Sequence, residues 1–134
     1  HMPDYVIEKV GLALNDHNRS IKDSKILVLG IAYKKNVDDM RESPSVEVMD
    51  RLHKLGAVVS YSDPHVPEFP HIPGHHYFDL KSEPLTPETV AKYDCVVLTT
   101  DHDKFDYDMI AEHAKLIVDT RGKFPAKNPK VVKA

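Results

Sequence analysis

Residues 26–31 read ILVLGI, and this apolar run decides the fold. Lys25 precedes the run, and polar residues follow it from Tyr33 onward. A continuous apolar stretch of this length between polar segments is typical of a strand that is buried on both faces, as strands are in parallel sheets. The run therefore predicts the first central strand of an α/β domain.

A crossover helix and a second strand are predicted directly after this run. The Ser-Pro pair at 43–44 supplies a helix cap and a first-turn proline, and Gly56 marks the end of the helix. The apolar positions between them recur at helical spacing: Val46, Met49, Leu52 and Leu55. Residues 57–61 then predict a strand, which ends before the Asp-Pro pair at 63–64 because proline cannot continue an interior ladder. Strand, helix and strand in this length form a βαβ unit.

The N-terminal segment predicts an amphipathic helix over residues 4–16, because its apolar side chains recur at the spacing of one helical face. His1 and Met2 have the look of an expression-vector remnant. We therefore expect residues 3–20 to be the end of a longer interdomain helix, followed by one domain over residues 21–134.

The second half of the chain alternates in the same way. Residues 64–84 are rich in proline and histidine and predict a surface loop with at most one short strand at 76–78. Beyond this loop the sequence predicts helices that start near Thr86 and Asp106, and buried strands over 95–99 and 116–119. The predicted fold class is a doubly wound, mostly parallel α/β sheet of the Rossmann-like kind, with helices on both faces and an N-terminal helix before it.

Composition narrows the possible functions. The 134 residues fit one domain, and the net charge of −3 argues against a general nucleic-acid binder, which needs broad clusters of Lys and Arg. No apolar run reaches the roughly 18 residues of a membrane helix, so no membrane partner is expected. The single cysteine, Cys95, excludes an internal disulfide and fits a reducing compartment, so we expect a cytoplasmic protein.

Residues that follow the predicted strands are the candidates for ligand binding, because the carboxyl ends of the strands form the ligand rim of such a sheet. Tyr33, Lys34 and Arg41 follow the first strand, and Arg121 follows the fourth. Guanidinium groups and helix N-termini both favour phosphate, so these residues could converge on that anion. The alternative is that the acidic residues between 38 and 42 neutralise the cations in surface pairs.

Other residues are weaker candidates for a cofactor, metal or catalytic site. A dinucleotide-binding turn needs further glycines after Gly30, and bulky side chains stand there, so we expect no NAD site of the usual Rossmann kind. Asp63 fits either a ribose-binding acid or, as we favour, the opening residue of a turn. The histidines at 65–76 lack the spacing of a zinc site, so no metal is expected. Cys95 lies in an apolar run and is interpreted as a core residue, and no catalytic residue is predicted.

The stretch ILVLGIAYKKNVDDMRESP at 26–44 resembles the opening of the UDP-binding domain of the UDP-glucose/GDP-mannose dehydrogenase family. The resemblance continues through SDP at 62–64 and VDTR at 118–121, and it spans nearly all of the chain after the first helix. The sequence VDDMRESP at 37–44 and the TTDH turn at 99–102 are most similar to the branch of the family that oxidises UDP-N-acetylhexosamines.

This resemblance implies the C-terminal, substrate-binding domain of an NAD-dependent nucleotide-sugar 6-dehydrogenase, an enzyme that oxidises the sugar C6 alcohol to a carboxylate and serves polysaccharide biosynthesis. It implies that Tyr33 and Lys34 bind the UDP moiety, that Arg121 lies near the ribose and phosphate, and that Arg41 reaches the cofactor from across the cleft. It also implies that the preceding domains hold NAD and the catalytic cysteine. We therefore expect this chain alone to bind a UDP-sugar without oxidising it, and the full-length enzyme to be a homo-oligomer.

Two other functions use the same fold. A stand-alone nucleotide-sensing or phosphoacceptor module is the main alternative, but receiver-type modules need paired acids at the end of the first strand, and GIAYKK at 30–35 lacks them. A complete small oxidoreductase is disfavoured by the missing glycines. The binding hypothesis requires that Lys34, Arg41 and Arg121 meet beside one crevice with room for a diphosphate.

Overall fold

Within the part of the chain that the structure describes, five strands form one sheet. Their bounds are β1 (Lys25–Leu29), β2 (Val58–Ser62), β3 (Cys95–Leu98), β4 (Ile117–Asp119) and β5 (Val131–Lys133). They lie in the order β2-β1-β3-β4-β5, and every neighbouring pair is parallel. The structure is a computed structural model that describes residues 2–32, 44–69, 80–125 and 127–134. The predicted doubly wound, parallel α/β fold is confirmed.

Four helices cover the two faces of the sheet within the described residues: α1 (Met2–Asp16), α2 (Pro44–Lys54), α3 (Pro87–Ala91) and α4 (Tyr107–His113). Side chains of β1 alternate between the faces, as the pleat of a strand requires. Ile26 and Val28 pack in the cluster that contains α1 and α2, whereas Leu27 and Leu29 pack in the cluster that contains α3 and α4. Each of these fully buried side chains contributes roughly 1.5–3 kcal/mol of hydrophobic stabilisation.

The helix caps of the second half follow the sequence prediction. The Thr86 side chain accepts a hydrogen bond from Thr89 N at 3.1 Å, and Asp106 accepts one from Met109 N at 3.1 Å. These bonds satisfy backbone donors that the first helical turn leaves open. The predicted helix starts near Thr86 and Asp106 are therefore confirmed, whereas the predicted cap at Ser43 and the short strand at 76–78 lie outside the described residues.

The fifth strand was not predicted from the sequence. β5 has three residues within a basic, proline-punctuated stretch, and its periodicity is too short to indicate a strand. It pairs with β4, with Ile117 opposite Val131 and Asp119 opposite Lys133. The strand conformation of these residues therefore depends on pairing with β4 and not on a local sequence pattern. Among the described helices, none combines the length and the apolar content that crossing a membrane requires.

Candidate functional site

The carboxyl ends of β1 to β4 meet at one edge of the sheet because these strands run in the same direction. We call the described residues of this edge the carboxyl rim; they are residues 30–32, Asp63, residues 99–102 and residues 119–121. The chain passes from β1 to β2 on one side and returns to β3 on the other, so the topological switch point lies between β1 and β3. Open α/β sheets bind ligands at this place.

Arg121 lies on the carboxyl rim, directly after β4. Its Nε donates a hydrogen bond to Asp101 Oδ1 at 3.0 Å, and its backbone N donates to Asp119 Oδ1 at 2.9 Å. Lys123 Nζ lies 3.5 Å from the other oxygen of Asp101. The remaining predicted binding residues, Tyr33, Lys34 and Arg41, lie outside the described residues. The structure thus brings Arg121 together with Lys123 and with Asp101, which the sequence analysis did not connect with Arg121.

The Asp101 carboxylate orients Arg121 without cancelling the charge of the cluster. Burial acts to raise the pKa of Asp101, but the hydrogen bond from Arg121 and the charges of Arg121 and Lys123 bring it below its usual value. Two cations and one carboxylate leave one net positive charge at this place. Arg121 contacts Asp101 through Nε, and its side chain is 49% exposed. No hydrogen bond joins its terminal amino groups to a described residue. A guanidinium held in this way suits a phosphate oxygen pair.

Asp119 organises the turn that carries Arg121. Its carboxylate is buried and accepts hydrogen bonds from the backbone N atoms of Arg121, Gly122 and Phe124 at 2.8–2.9 Å. Lys133 Nζ of β5 donates to the same carboxylate at 2.8 Å. Burial acts to raise the pKa of Asp119, but these donors lower it. Three of these donors lie within five residues of Asp119, but the fourth comes from β5, 14 residues away, which no local sequence pattern indicates.

The turn after β1 has its backbone polar groups bonded within the protein. Gly30 has φ +79°, a conformation that L side chains rarely adopt, and its N donates to Ser62 O at 2.9 Å. Thr99 Oγ1 donates to Gly30 O at 2.5 Å, and Thr100 Oγ1 donates to Ala32 O at 2.8 Å. Ser62 of β2 and the two threonines that follow β3 thus fix the backbone of residues 30–32.

Asp63 and His102 form a fully buried pair at the switch point. His102 Nε2 donates to Asp63 Oδ2 at 2.9 Å, and the same oxygen accepts the amides of Ile31 at 2.8 Å and Ala32 at 3.1 Å. Asp63 Oδ1 accepts His65 N at 2.8 Å, the geometry of an Asp-initiated turn. The turn interpretation of Asp63 is confirmed. Burial acts to raise the pKa of this carboxyl, but the bonds from His102, His65 and Ile31 lower it.

The described part of the β1 turn does not fit the pyrophosphate of NAD in the Rossmann manner. A dinucleotide-binding turn presents free backbone N–H groups to the phosphates, and its glycines let the phosphates approach closely. Here the amides of Ile31 and Ala32 are bonded to Asp63, and the open side of Gly30 faces protein. A Cβ on Gly30 would lie 2.1 Å from Thr100 O, so backbone fills the space that a ligand would need.

The other candidate groups are structural within the described ranges. No set of three metal-ligating side chains comes together there. Cys95 is completely buried in β3, and burial, with a smaller contribution from Asp94, raises the pKa of its thiol to about 12. Cys95 is therefore a protonated core residue, as the sequence indicates.

Acid should destabilise the domain through these carboxylates. The pKa values of Asp63, Asp101 and Asp119 are lowered from 3.8, so folding favours their ionised forms. Their contribution is complete above about pH 5 and is lost as the pH falls through their folded-state pKa values below 3.8. We expect the free energy of unfolding in urea to fall steeply below pH 4, and less steeply in Asp63→Asn. Parallel profiles for the two proteins contradict this assignment.

The chain is similar to a known protein family and to several of its members. Residues 27–126 match the family model described as "UDP-glucose/GDP-mannose dehydrogenase family, UDP binding domain". The UDP-N-acetyl-D-mannosamine dehydrogenase of Methanococcus maripaludis strain C7 is 37% identical over 90% of this chain. The UDP-glucose 6-dehydrogenase of Rhizobium meliloti strain 1021 is also 37% identical, over 75% of this chain.

Solved structures show the same fold. The NDP-N-acetyl-D-galactosaminuronic acid dehydrogenase of Methanosarcina mazei Go1 superposes with a TM-score of 0.77 over 99% of this chain, at 24% identity. The chain spans 27% and 24% of the lengths of the two curated relatives and 28% of that solved chain. It therefore corresponds to one part of these larger proteins.

Proposed function

The chain belongs to the UDP-glucose/GDP-mannose dehydrogenase family, and we propose that it is the domain that holds the UDP part of a nucleotide sugar in an NAD-dependent 6-dehydrogenase. The whole enzyme would oxidise the sugar C6 alcohol to a carboxylate, and this chain alone would not. The proposed substrate class is a UDP-N-acetylhexosamine. Its support is that the UDP-N-acetyl-D-mannosamine dehydrogenase named above matches more of this chain than the UDP-glucose enzyme does at equal identity.

The observation that carries this proposal is the cationic cluster on the carboxyl rim. Arg121 is anchored at Nε by Asp101 and at its backbone by Asp119, and Lys123 lies against the other oxygen of the Asp101 carboxylate. In the proposed complex Arg121 contacts the ribose and phosphate, Tyr33 and Lys34 contact the UDP moiety, and Arg41 reaches the cofactor. Binding energy gained on the diphosphate would hold the distant sugar at the reacting centre, which lies in another domain.

The remaining parts of the whole protein are proposals on the same basis. We propose that residues 3–20 end an interdomain helix and that residues 21–134 are the UDP-binding domain. NAD would be held mainly by another domain, since the described β1 turn does not fit its pyrophosphate. The whole enzyme would be a cytoplasmic homo-oligomer, and the buried, free Cys95 is compatible with a reducing compartment.

Titration calorimetry with UDP tests the proposal. We expect the chain to bind UDP and Arg121→Ala to weaken that binding about 10- to 100-fold, because charge-assisted hydrogen bonds contribute about 1.5–3 kcal/mol. Lys34→Ala should weaken it in the same direction.

Arg19→Ala is the matched control for the Arg121 variant. Arg19 is 54% exposed, and its Nε lies 3.4 Å from Asp94 Oδ1, near the opposite edge of the sheet, where Asp94 accepts Lys25 N. UDP affinity should be unchanged in this variant. Absence of UDP binding by the folded wild-type chain, or equal affinity in Arg121→Ala, would refute the proposed site.

A further inference from the structure

The β1 turn satisfies its two leading amides with a carboxylate from the same chain. In dinucleotide-binding sheets the amides that follow the first strand face a ligand phosphate. Here Asp63 Oδ2 accepts both Ile31 N and Ala32 N, at 2.8 and 3.1 Å. All three residues are almost completely buried. An internal anion thus occupies the place of a ligand anion.

We propose that Asp63 is a positioning residue for nucleotide binding, which fixes the backbone of Ile31 and Ala32 on the carboxyl rim, directly before Tyr33 and Lys34 in the sequence. The proposal rests on the proposed function, in which those two residues contact UDP. In this proposal the amides of Ile31 and Ala32 serve the fold, and side chains bind the phosphates.

The carboxylate that makes these bonds is itself immobilised. His102, which follows β3, also donates to Asp63 Oδ2. This one oxygen therefore links residues at the ends of β1, β2 and β3. The His102 ring packs against His65 and Phe105, with ring centroids 4.7 and 5.5 Å apart. Tyr107 OH donates to the His102 carbonyl at 2.8 Å, which ties this residue to α4. His102 therefore holds the Asp63 carboxylate in place independently of the bonds to Ile31 and Ala32.

The negative charge matters as well as the shape. Asp63 accepts four donors from described residues, three at Oδ2 and one at Oδ1. An asparagine has one acceptor oxygen, so either orientation of its amide loses at least one of these bonds. The bonds that remain lose their charge assistance and become weaker. Asp63→Asn should therefore loosen the turn while the side-chain volume is preserved.

UDP calorimetry on Asp63→Asn tests the proposal, with Asp94→Asn as the matched control. Asp94 Oδ2 accepts Lys25 N at 2.8 Å, so it performs the same chemistry at the other end of β1. We expect about tenfold weaker UDP binding in Asp63→Asn and unchanged binding in Asp94→Asn, although both variants lose stability. A merely structural role would lower stability in both and leave the affinity of both unchanged, which overturns the proposal.

An NMR measurement on the wild-type chain covers the case in which Asp63→Asn does not fold. The amide protons of Ile31 and Ala32 should exchange slowly before UDP is added and should keep their resonance positions afterwards. Large displacement of both resonances means that the ligand takes these amides from Asp63, which overturns the proposal. If the folded wild-type chain binds no UDP, the proposed function fails and this proposal fails with it. Unchanged affinity in Asp63→Asn overturns this proposal alone.

Discussion

Gly30→Ala is expected to destabilise the domain by about 3–5 kcal/mol, the sum of a left-handed backbone strain and an overpacking cost. Gly30 has φ +79°, and an added Cβ would lie 2.1 Å from Thr100 O. The obstacle is backbone at the end of β3, which is held by its own hydrogen bonds, so neither side can yield cheaply. Urea unfolding of the purified variant measures this loss.

Two other glycines separate the components of the Gly30 effect. Gly122 has φ +74°, but no described atom would lie within 4 Å of its Cβ, so Gly122→Ala should cost only the strain, about 1–2 kcal/mol. Gly11 lies in α1, and its Cβ would meet Ile21 Cδ1 at an ordinary 3.6 Å, so Gly11→Ala should be neutral or stabilising by up to about 1 kcal/mol. Equal losses at Gly30 and Gly122 would show that the close approach to Thr100 is not the cause.

Asp119→Asn is expected to cost about 2–4 kcal/mol and to weaken UDP binding as well. Asp119 is buried and accepts three backbone amides and Lys133 Nζ, so an asparagine leaves donors without partners. One of those amides belongs to Arg121, whose guanidinium should then be less well placed. Combined urea unfolding and UDP calorimetry measure the two effects.

Glu47→Gln provides the comparison for Asp119. Glu47 pairs with Arg51 at 3.0 Å one helical turn away, and both side chains are more than a third exposed. Such a pair contributes about 0.5 kcal/mol or less, and it lies outside the carboxyl rim. A loss in Asp119→Asn that is no larger than in Glu47→Gln would contradict the role assigned to the Asp119 carboxylate.

The sequence predicts elements well where one local pattern is sufficient. The apolar run of β1 and the helix starts near Thr86 and Asp106 each depend on a few consecutive residues, and the structure confirms them. β5 escaped prediction because its three residues form a strand only beside β4. The position of Gly30 at the end of β1 could be predicted from the sequence. Its close approach to Thr100 could not, because Thr100 follows a different strand.

The candidate site was less predictable because its contacts join distant segments. Arg121 was singled out from the resemblance and its position after a strand, but its partner Asp101 lies 20 residues earlier. Asp63 could be interpreted as a turn residue, since one of its bonds is local, whereas its bonds to the amides of residues 31–32 depend on how β1 and β2 pair. Convergence of Lys34 and Arg41 with Arg121 stays a prediction.

The parallel arrangement of the sheet also has a consequence for how the protein is made. No strand of the described five-stranded sheet pairs with its neighbour through a tight hairpin, so each pairing must first close a longer connection, which is slow. On the ribosome, the nascent chain can pair β1 with β2 early, but the second partner of β1 is complete only when Leu98 has left the exit tunnel. Until then one edge of β1, whose residues 26–29 are all apolar, is open to aggregation, and chaperone shielding should matter most in that interval.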